Sequence, residues 1–305
     1  MQELQNEFSW SKSRHEKFAE CRRLYYFTYY GAWGGWRADA PALARELYLL
    51  KKLSNRFQWA GNVVHDTIRA ALTQAKAGVM PSMDRMSQFM LLRMRNEWRL
   101  SRDHRYRVSE PYTKRALGLV EHEYAEPVAN EEWKRNADNA MGSLKRFFEG
   151  PYLARARTLR PDQWLSIDEL DAFLLEGVRV FAAPDFAYRE DDGTAYVVDW
   201  KTGRPREGED EQVQGYVLFA QHKWGVDPAR TTAKLVYLGS GEERAVQVNE
   251  AALEKFRGHF RESVEGMRAL LEHPERNLPR EIEQFPQTED RRRCGSCSFR
   301  RVCGR

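Results

Sequence analysis

The sequence predicts an α/β fold, and three observations carry that prediction. Helix-forming and strand-forming stretches alternate as helix, strands, helix, strands, helix, the order expected of a sheet covered by helices. The strand stretches are short, β-branched or aromatic and bounded by turn composition, as in Val178-Arg179-Val180-Phe181 and Ala195-Tyr196-Val197-Val198 around Glu190-Asp191-Asp192-Gly193. Over 305 residues, 42% hydrophobic and 12% aromatic content is that of a packed globular chain. No internal repeat or low-complexity linker divides it, so residues 1–305 read as a single domain.

Residues 9–30 read as the first helix. Ser9 or Ser11 caps it, Phe18, Cys21, Tyr25 and Thr28 recur at helical spacing, and the glycines of 31–35 end it. A second helix is expected over 57–76, with Phe57, Ala60, Val64, Ile68 and Leu72 as its buried stripe. His65 lies beside that stripe, four residues after Gly61, where a glycine permits close approach of another backbone or of a substrate. Residues 80–150 have charged, helix-favouring composition and read as an inserted helical subdomain. Strands occupy 162–201, opening at Trp164-Leu165-Ser166-Ile167, and a helix over 210–223 sets Gln212 and Tyr216 on one face. A hairpin of 233–238 with 244–248 turns at Ser240-Gly241. An amphipathic helix is expected over 250–273, followed by a loop punctuated by Pro274, Pro279 and Pro286 that leads into RRRCGSCSFRRVCGR.

The chemistry is expected at 178–201, read as strand, turn, strand. Asp185 follows Pro184 at the head of one strand. Asp199 and Lys201 end the other, two apart and therefore on one face, with Trp200 pointing away. Carboxylates from two strands can hold a hard cation such as Mg²⁺, whose bound water becomes a nucleophile at neutral pH. A lysine beside it can orient that water or neutralise charge building on a phosphate. An isolated Asp-x-Lys is also what a surface ion pair at a strand end looks like, so the other motifs bear on the choice.

A net charge of +4, with a pI near 8.8, permits nucleic-acid affinity without demanding it. No apolar run reaches the roughly 20 residues that span a bilayer, and the first residues are too charged for a signal peptide. The chain is accordingly expected in the cytosol, away from membranes, where disulfides are rare. Its four cysteines then need another role. Cys294, Cys297 and Cys303 are spaced C-x2-C-x5-C in an arginine-rich stretch, and Cys21 stands far upstream. Such thiolates suit Zn²⁺ or an iron-sulfur cluster, and one distant cysteine with a tight triplet favours the cluster. A metal there would clasp Cys21 to residues 291–305. The arginines flanking the triplet are candidates for phosphate contact.

Together these elements resemble the RecB-like branch of the PD-(D/E)XK nuclease superfamily in its iron-sulfur form, which includes the AddB nuclease domain and the CRISPR-associated adaptation exonucleases. The resemblance covers most of the chain and follows the family order: Cys21, Gly61 to His65, Asp185, Asp199 to Lys201, Gln212 to Tyr216, then Cys294, Cys297 and Cys303. It implies a restriction-endonuclease-like core, a central mixed sheet flanked by helices, with the helical insert and an iron-sulfur clasp joining the termini. It implies a metal-dependent DNA nuclease, an exonuclease or end-processing enzyme on single strands or DNA ends, serving recombination, repair or phage- or CRISPR-related processing. His65, Asp185, Asp199 and the carbonyl of Trp200 would ligate Mg²⁺ or Mn²⁺. Lys201 would serve the attacking water, and Gln212 and Tyr216 would support the site. The four cysteines would bind a 4Fe-4S cluster, and a helicase or integrase is the expected protein partner. The competing expectations are a non-catalytic iron-sulfur DNA-binding subunit and a zinc-stapled hydrolase of another kind.

Overall fold

The computed structural model describes residues 5–108 and 117–305. Its helices are α1 (Lys12–Glu20), α2 (Arg22–Tyr26), α3 (Ala42–Lys51), α4 (Arg56–Lys76), α5 (Met83–Arg102), α6 (Arg105–Val108), α7 (Val120–Glu123), α8 (Asn130–Glu149), α9 (Pro151–Ala156), α10 (Glu209–Trp224), α11 (Glu250–Arg268), α12 (Arg291–Gly295) and α13 (Arg300–Cys303). Its strands are β1 (Trp164–Ser166), β2 (Asp171–Leu175), β3 (Val178–Ala182), β4 (Phe186–Arg189), β5 (Ala195–Lys201), β6 (Thr231–Tyr237), β7 (Glu242–Val246), β8 (Leu271–His273) and β9 (Leu278–Pro279). The chain forms two compact units. One draws its described residues from the segments Met1–Arg56, Asn96–Val128 and Phe260–Arg305, the other from Phe57–Arg95 and Ala129–His259. The stretch 80–150 is shared between the two.

The second unit holds a five-stranded mixed sheet in the order β1-β4-β5-β6-β7. β4 runs antiparallel to β1 and β5, β5 and β6 are parallel, and β7 is antiparallel to β6. The parallel pair requires a crossover, which α10 supplies. β5 is central because Ala195, Val197, Val198, Asp199 and Trp200 bury both of its faces. α10 begins after Gly208, at positive φ, with Glu209, Asp210 and Glu211 in its first turn, and ends at Gly225, also at positive φ. Those carboxylates suit the positive end of the helix dipole, and the glycine closes the helix without steric cost. Val213, Tyr216, Val217, Leu218, Phe219 and Ala220 are buried around much of its circumference.

One pairing differs from the sequence reading. β3 does not pair with β5; it folds back on β2 through Glu176-Gly177, both at positive φ, in a separate two-stranded sheet. The partner of β5 is β4, with Phe186 opposite Val198 and Arg189 opposite Ala195. Between β3 and β4 the chain passes through Ala183-Pro184, and a proline has no N–H with which to continue a ladder. The inner face of the β2–β3 hairpin rests on α10, where the rings of Phe173 and Phe219 lie 5.9 Å apart edge to face.

The first unit is mostly helical, with the short β8–β9 pair as its described strands. Ser11 caps α1 by accepting the Arg14 N–H at 3.1 Å. The single helix expected over 9–30 is broken: Cys21 is extended (φ −163, ψ 122), and α2 passes into a π-helical turn, Phe27–Gly31. α3, in a stretch where the sequence predicts no element, buries Leu47 and Leu50 in a core with Phe27, Ala32, Tyr106 and Phe299. α11 ends at Arg268 rather than near 273, because residues 271–273 pair as β8 with β9. In the second unit, α4 buries Ala60, Val64, Ile68 and Leu72 as expected, whereas Phe57 is 62% exposed. Among the described residues no helix is long and apolar enough to cross a membrane.

His122 gives the first unit a pH response. Burial, with His104 and Arg102 nearby, lowers its pKa to about 4. Ser101 Oγ accepts the Leu119 N–H at 2.8 Å and lies 2.8 Å from His122 Nδ1, an arrangement the neutral ring satisfies by accepting the hydroxyl proton. The unfolded chain takes up this proton near the ordinary histidine value of 6.5 and the folded chain near 4, so the unfolded state binds more protons in between. Stability is therefore expected to fall as pH drops from about 6.5 to about 4. His122→Gln, which retains an acceptor for Ser101, should flatten the slope of melting temperature against pH in that window.

Candidate active site

β5 carries Asp199 and Lys201 on one face by strand alternation, and Lys201 Nζ lies 2.7 Å from Asp199 Oδ2. Asp185 directly precedes β4. The register that sets Phe186 against Val198 brings it to the same end of β5, where its Oδ2 accepts the Trp200 N–H at 2.7 Å. α4 delivers His65, whose Nδ1 stands 3.1 Å from Asp185 Oδ1. α10 adds Gln212, which accepts from Lys201 Nζ at 2.8 Å and donates to the Tyr216 hydroxyl at 2.7 Å. The helical spacing of four residues thus has a use: Tyr216 orients Gln212, and Gln212 orients the lysine. Gly61, one turn before His65, has a steric reason. A Cβ there would sit 2.8 Å from Thr202 Oγ1, in the chain leaving Lys201.

Asp185, Asp199 and Tyr216 are buried, the rest of the cluster is half-buried, and the whole is rich in negative charge. Asp199 is 2% exposed. Burial, then the neighbouring Asp185, push its carboxyl up to about 7 against the opposing pull of Lys201 and His65. Burial disfavours a charged His65, yet Asp185, Asp199 and Asp168 outweigh it and raise the imidazole to about 9. Burial also works against the Lys201 ammonium, and Asp199 with Asp185 raises it nonetheless. Tyr216 is held well above its usual range, first by burial and then by the two aspartates.

Asp168 is the participant that sequence reading missed. It sits at positive φ after β1, its N–H donates to the Pro184 carbonyl at 3.0 Å, and Arg69, one turn beyond His65 on α4, pairs with its carboxylate at 3.3 Å. Its pKa is raised by burial and by Asp185. An aspartate in a connector has no spacing that separates it from a turn residue, so only the folded loop reveals it.

The oxygens of Asp185 and Asp199 are the hard donors that Mg²⁺ or Mn²⁺ takes. Asp199 Oδ2 is buried, with the Lys201 ammonium 2.7 Å away as its charge partner. A buried carboxylate oxygen that already faces a positive group, with the second carboxylate of Asp185 beside it, is donor chemistry that suits a cation. His65 and Lys201 here neutralise the two carboxylates, and among the described residues no group of three or more His, Cys, Asp or Glu side chains stands in a ready metal-holding arrangement.

In the first unit, Cys21, Cys294, Cys297 and Cys303 are free thiols lining one cavity, with Leu24 and Phe299 among its walls. The Gln287 amide donates to Cys303 Sγ at 3.0 Å and the Phe299 N–H to Cys297 Sγ at 3.4 Å. Burial pushes Cys297 up to about 11 and also raises Cys303. The arginines of this segment are largely engaged. Arg300 stacks on Tyr124 at 3.8 Å and pairs with Glu126 at 2.7 Å, Arg301 pairs with Glu46 and Glu123, and Arg292 and Arg293 pair with Asp290. Arg300 and Arg301 thus tie the tail to Glu46, Glu123 and Glu126, whereas Arg292 and Arg293 pair locally and stay exposed.

A family model for the PD-(D/E)XK nuclease superfamily matches residues 9–304. The chain belongs to the PD-(D/E)XK nuclease superfamily. Pro184-Asp185 and Asp199-Trp200-Lys201, which meet at the end of β5, spell the pattern from which that name is taken. The mixed sheet with its helices is compatible with a restriction-endonuclease-like core, and membership supports a nuclease, a hydrolase of a class that generally uses Mg²⁺ or Mn²⁺. No curated protein matches the chain.

Proposed function

We propose that this chain is a Mg²⁺- or Mn²⁺-dependent deoxyribonuclease of the RecB-like, iron-sulfur kind, working in the cytosol on single-stranded DNA or DNA ends. The observation that carries this reading is the continuous side-chain chain Tyr216–Gln212–Lys201–Asp199 beside Asp185 and His65. A surface ion pair at a strand end needs no glutamine-tyrosine support, and here the lysine is held by two partners from different elements. Asp185 and Asp199 would hold the cation, with Nε2 of His65 and the carbonyl of Trp200 completing its protein ligands. The bound cation supplies an activated water and a counter-charge for the phosphate. Lys201 positions a water and donates toward the phosphate oxygen, while Gln212 and Tyr216 keep its ammonium in place. Asp168, with Arg69, is assigned to steadying Asp185 and His65.

The loop after Lys201 suits a phosphate backbone. Arg204 and Arg206 are exposed, and among the described residues their side chains have no carboxylate partner. Arg204→Ala with Arg206→Ala is expected to weaken DNA binding and to reduce the slope of log affinity against log salt by about 1.4 to 1.8, as loss of two phosphate contacts would. Anisotropy titrations at several salt concentrations measure it.

The cluster is assigned to the four thiols on three supports: they line one cavity, N–H donors point at two of the sulfurs, and the family resemblance runs through all four. Protein purified without oxygen should be brown, with about four iron and four sulfide per chain; zinc in their place would be colourless. The nuclease reading is tested by incubating that protein with labelled single- and double-stranded DNA, with Mn²⁺ or with chelator. Cutting that needs the cation and is lost in Asp199→Asn is expected, and cutting that survives both would overturn it.

A further inference from the structure

Both ends of the β2–β3 hairpin are rooted at the candidate active site. Asp168 stands before it and Asp185 after it, and the Asp168 N–H to Pro184 carbonyl bond closes its base. Its inner face, Phe173, Leu175, Val178, Val180 and Ala182, is buried. Its outer face carries Ala172, Leu174 and Phe181 beside one charged residue, Arg179, where a solvated strand would be mostly polar. The register sets Ala172 opposite Phe181 and Leu174 opposite Arg179, so these side chains share one side. Leu174 is 64% exposed and Phe181 37%, and Leu170 at the base is 71% exposed.

We infer that this outer face is a platform for the unpaired bases of the strand being cut, an inference that rests on the nuclease reading above. The hairpin base closes at Asp168 and Pro184, next to Asp185, so a strand whose phosphate is held at Asp185 has the hairpin as an immediate neighbour. Its bases, once unstacked, present flat apolar faces that seek aromatic, aliphatic and guanidinium surfaces. A duplex presents phosphates and keeps its base faces covered, so this face distinguishes single strands and frayed ends from intact double helix. The strand that places Asp185 therefore also selects the form of DNA that reaches it.

The test compares wild type with Leu174→Ser/Phe181→Ser and with Leu174→Trp, all as the full chain. Anisotropy of labelled oligothymidylate reports binding independently of turnover. Phe181 keeps part of its ring covered, so the double variant is expected to melt below wild type, and binding is compared at a temperature where every variant is folded. The double variant should weaken single-strand binding roughly tenfold per lost base contact and raise KM for a single-stranded substrate in parallel. Duplex binding and hydrolysis of thymidine 5′-p-nitrophenyl phosphate should be unchanged. Leu174→Trp should tighten single-strand binding. Unchanged single-strand affinity in the variants, an equal loss on the small diester, or a wild type that self-associates through this face while the double variant is monomeric would each overturn the inference. A wild type that binds oligothymidylate through the hairpin yet cuts nothing would sink the nuclease reading and leave the platform standing.

Discussion

Lys201→Met is expected to lower single-turnover DNA cleavage by about 10²- to 10⁴-fold while leaving DNA affinity within about twofold of wild type, since uniform binding is carried by other groups. The ammonium has two partners, Asp199 at 2.7 Å and Gln212 at 2.8 Å, so its position is set before substrate arrives. Methionine retains length and apolar stem and removes the charge. Lys201→Arg should recover little, because a planar fork cannot occupy a site built around a point charge. The variant should also show a pH effect of defined sign. Lys201 pulls the Asp199 pKa down against burial and Asp185, which together raise it to about 7. Without the lysine the Asp199 carboxyl holds its proton to higher pH. Cation binding, which needs the carboxylate, should then move to more alkaline pH. Isothermal titration of Mn²⁺ at several pH values measures that shift directly, and an unshifted profile with full activity would remove Lys201 from the site.

Trp200→Ala is expected to cost about 3–5 kcal/mol of stability, read from the urea midpoint. Trp200 is 2% exposed, and its ring packs edge to face against Phe147 at 5.6 Å and Tyr152 at 5.0 Å, with Phe186 stacked at 6.5 Å. Trp200→Phe should cost far less. It keeps most of the ring contact and removes an indole N–H that is buried without a partner. Both variants keep the backbone N–H that Asp185 accepts, so the Phe form should retain activity. Loss of activity in the alanine variant would then track loss of fold. The chemical face of β5 thus depends on the apolar packing of the opposite face.

Periodic and locally encoded features were legible. The spacing of Asp199 and Lys201 on a strand, of Gln212 and Tyr216 on a helix, and the stripe of α4 follow from periods of 2 and 3.6, which a sequence displays directly. The resemblance drew the same residues together before any distance was known. Long-range features were hidden. The partner of β5 was misread because Val178–Ala182 and Phe186–Arg189 are equally β-prone, and only the break at Ala183-Pro184, with the tight turn at Glu176-Gly177, separates them. The break at Cys21 left no trace in a pattern whose apolar residues continue at helical spacing across it. Asp168 was invisible because its membership in the cluster comes from a backbone bond to Pro184 and an ion pair to Arg69, neither of which has a period.

By itself the sequence determined the inventory: an α/β chain with two aspartates and a lysine at strand ends, a histidine and a glutamine-tyrosine pair on helices, and four cysteines in a one-plus-three pattern. Only the tertiary structure decided the company each group keeps. It set Asp185 against the Trp200 peptide and His65, paired Arg300 and Arg301 of the tail with Glu46, Glu123 and Glu126, and left a largely apolar hairpin face standing beside the aspartates. The physical reason is that side-chain direction is a local property of helix and strand geometry, whereas burial and ion pairing depend on which distant segments the packed core brings within a few ångströms.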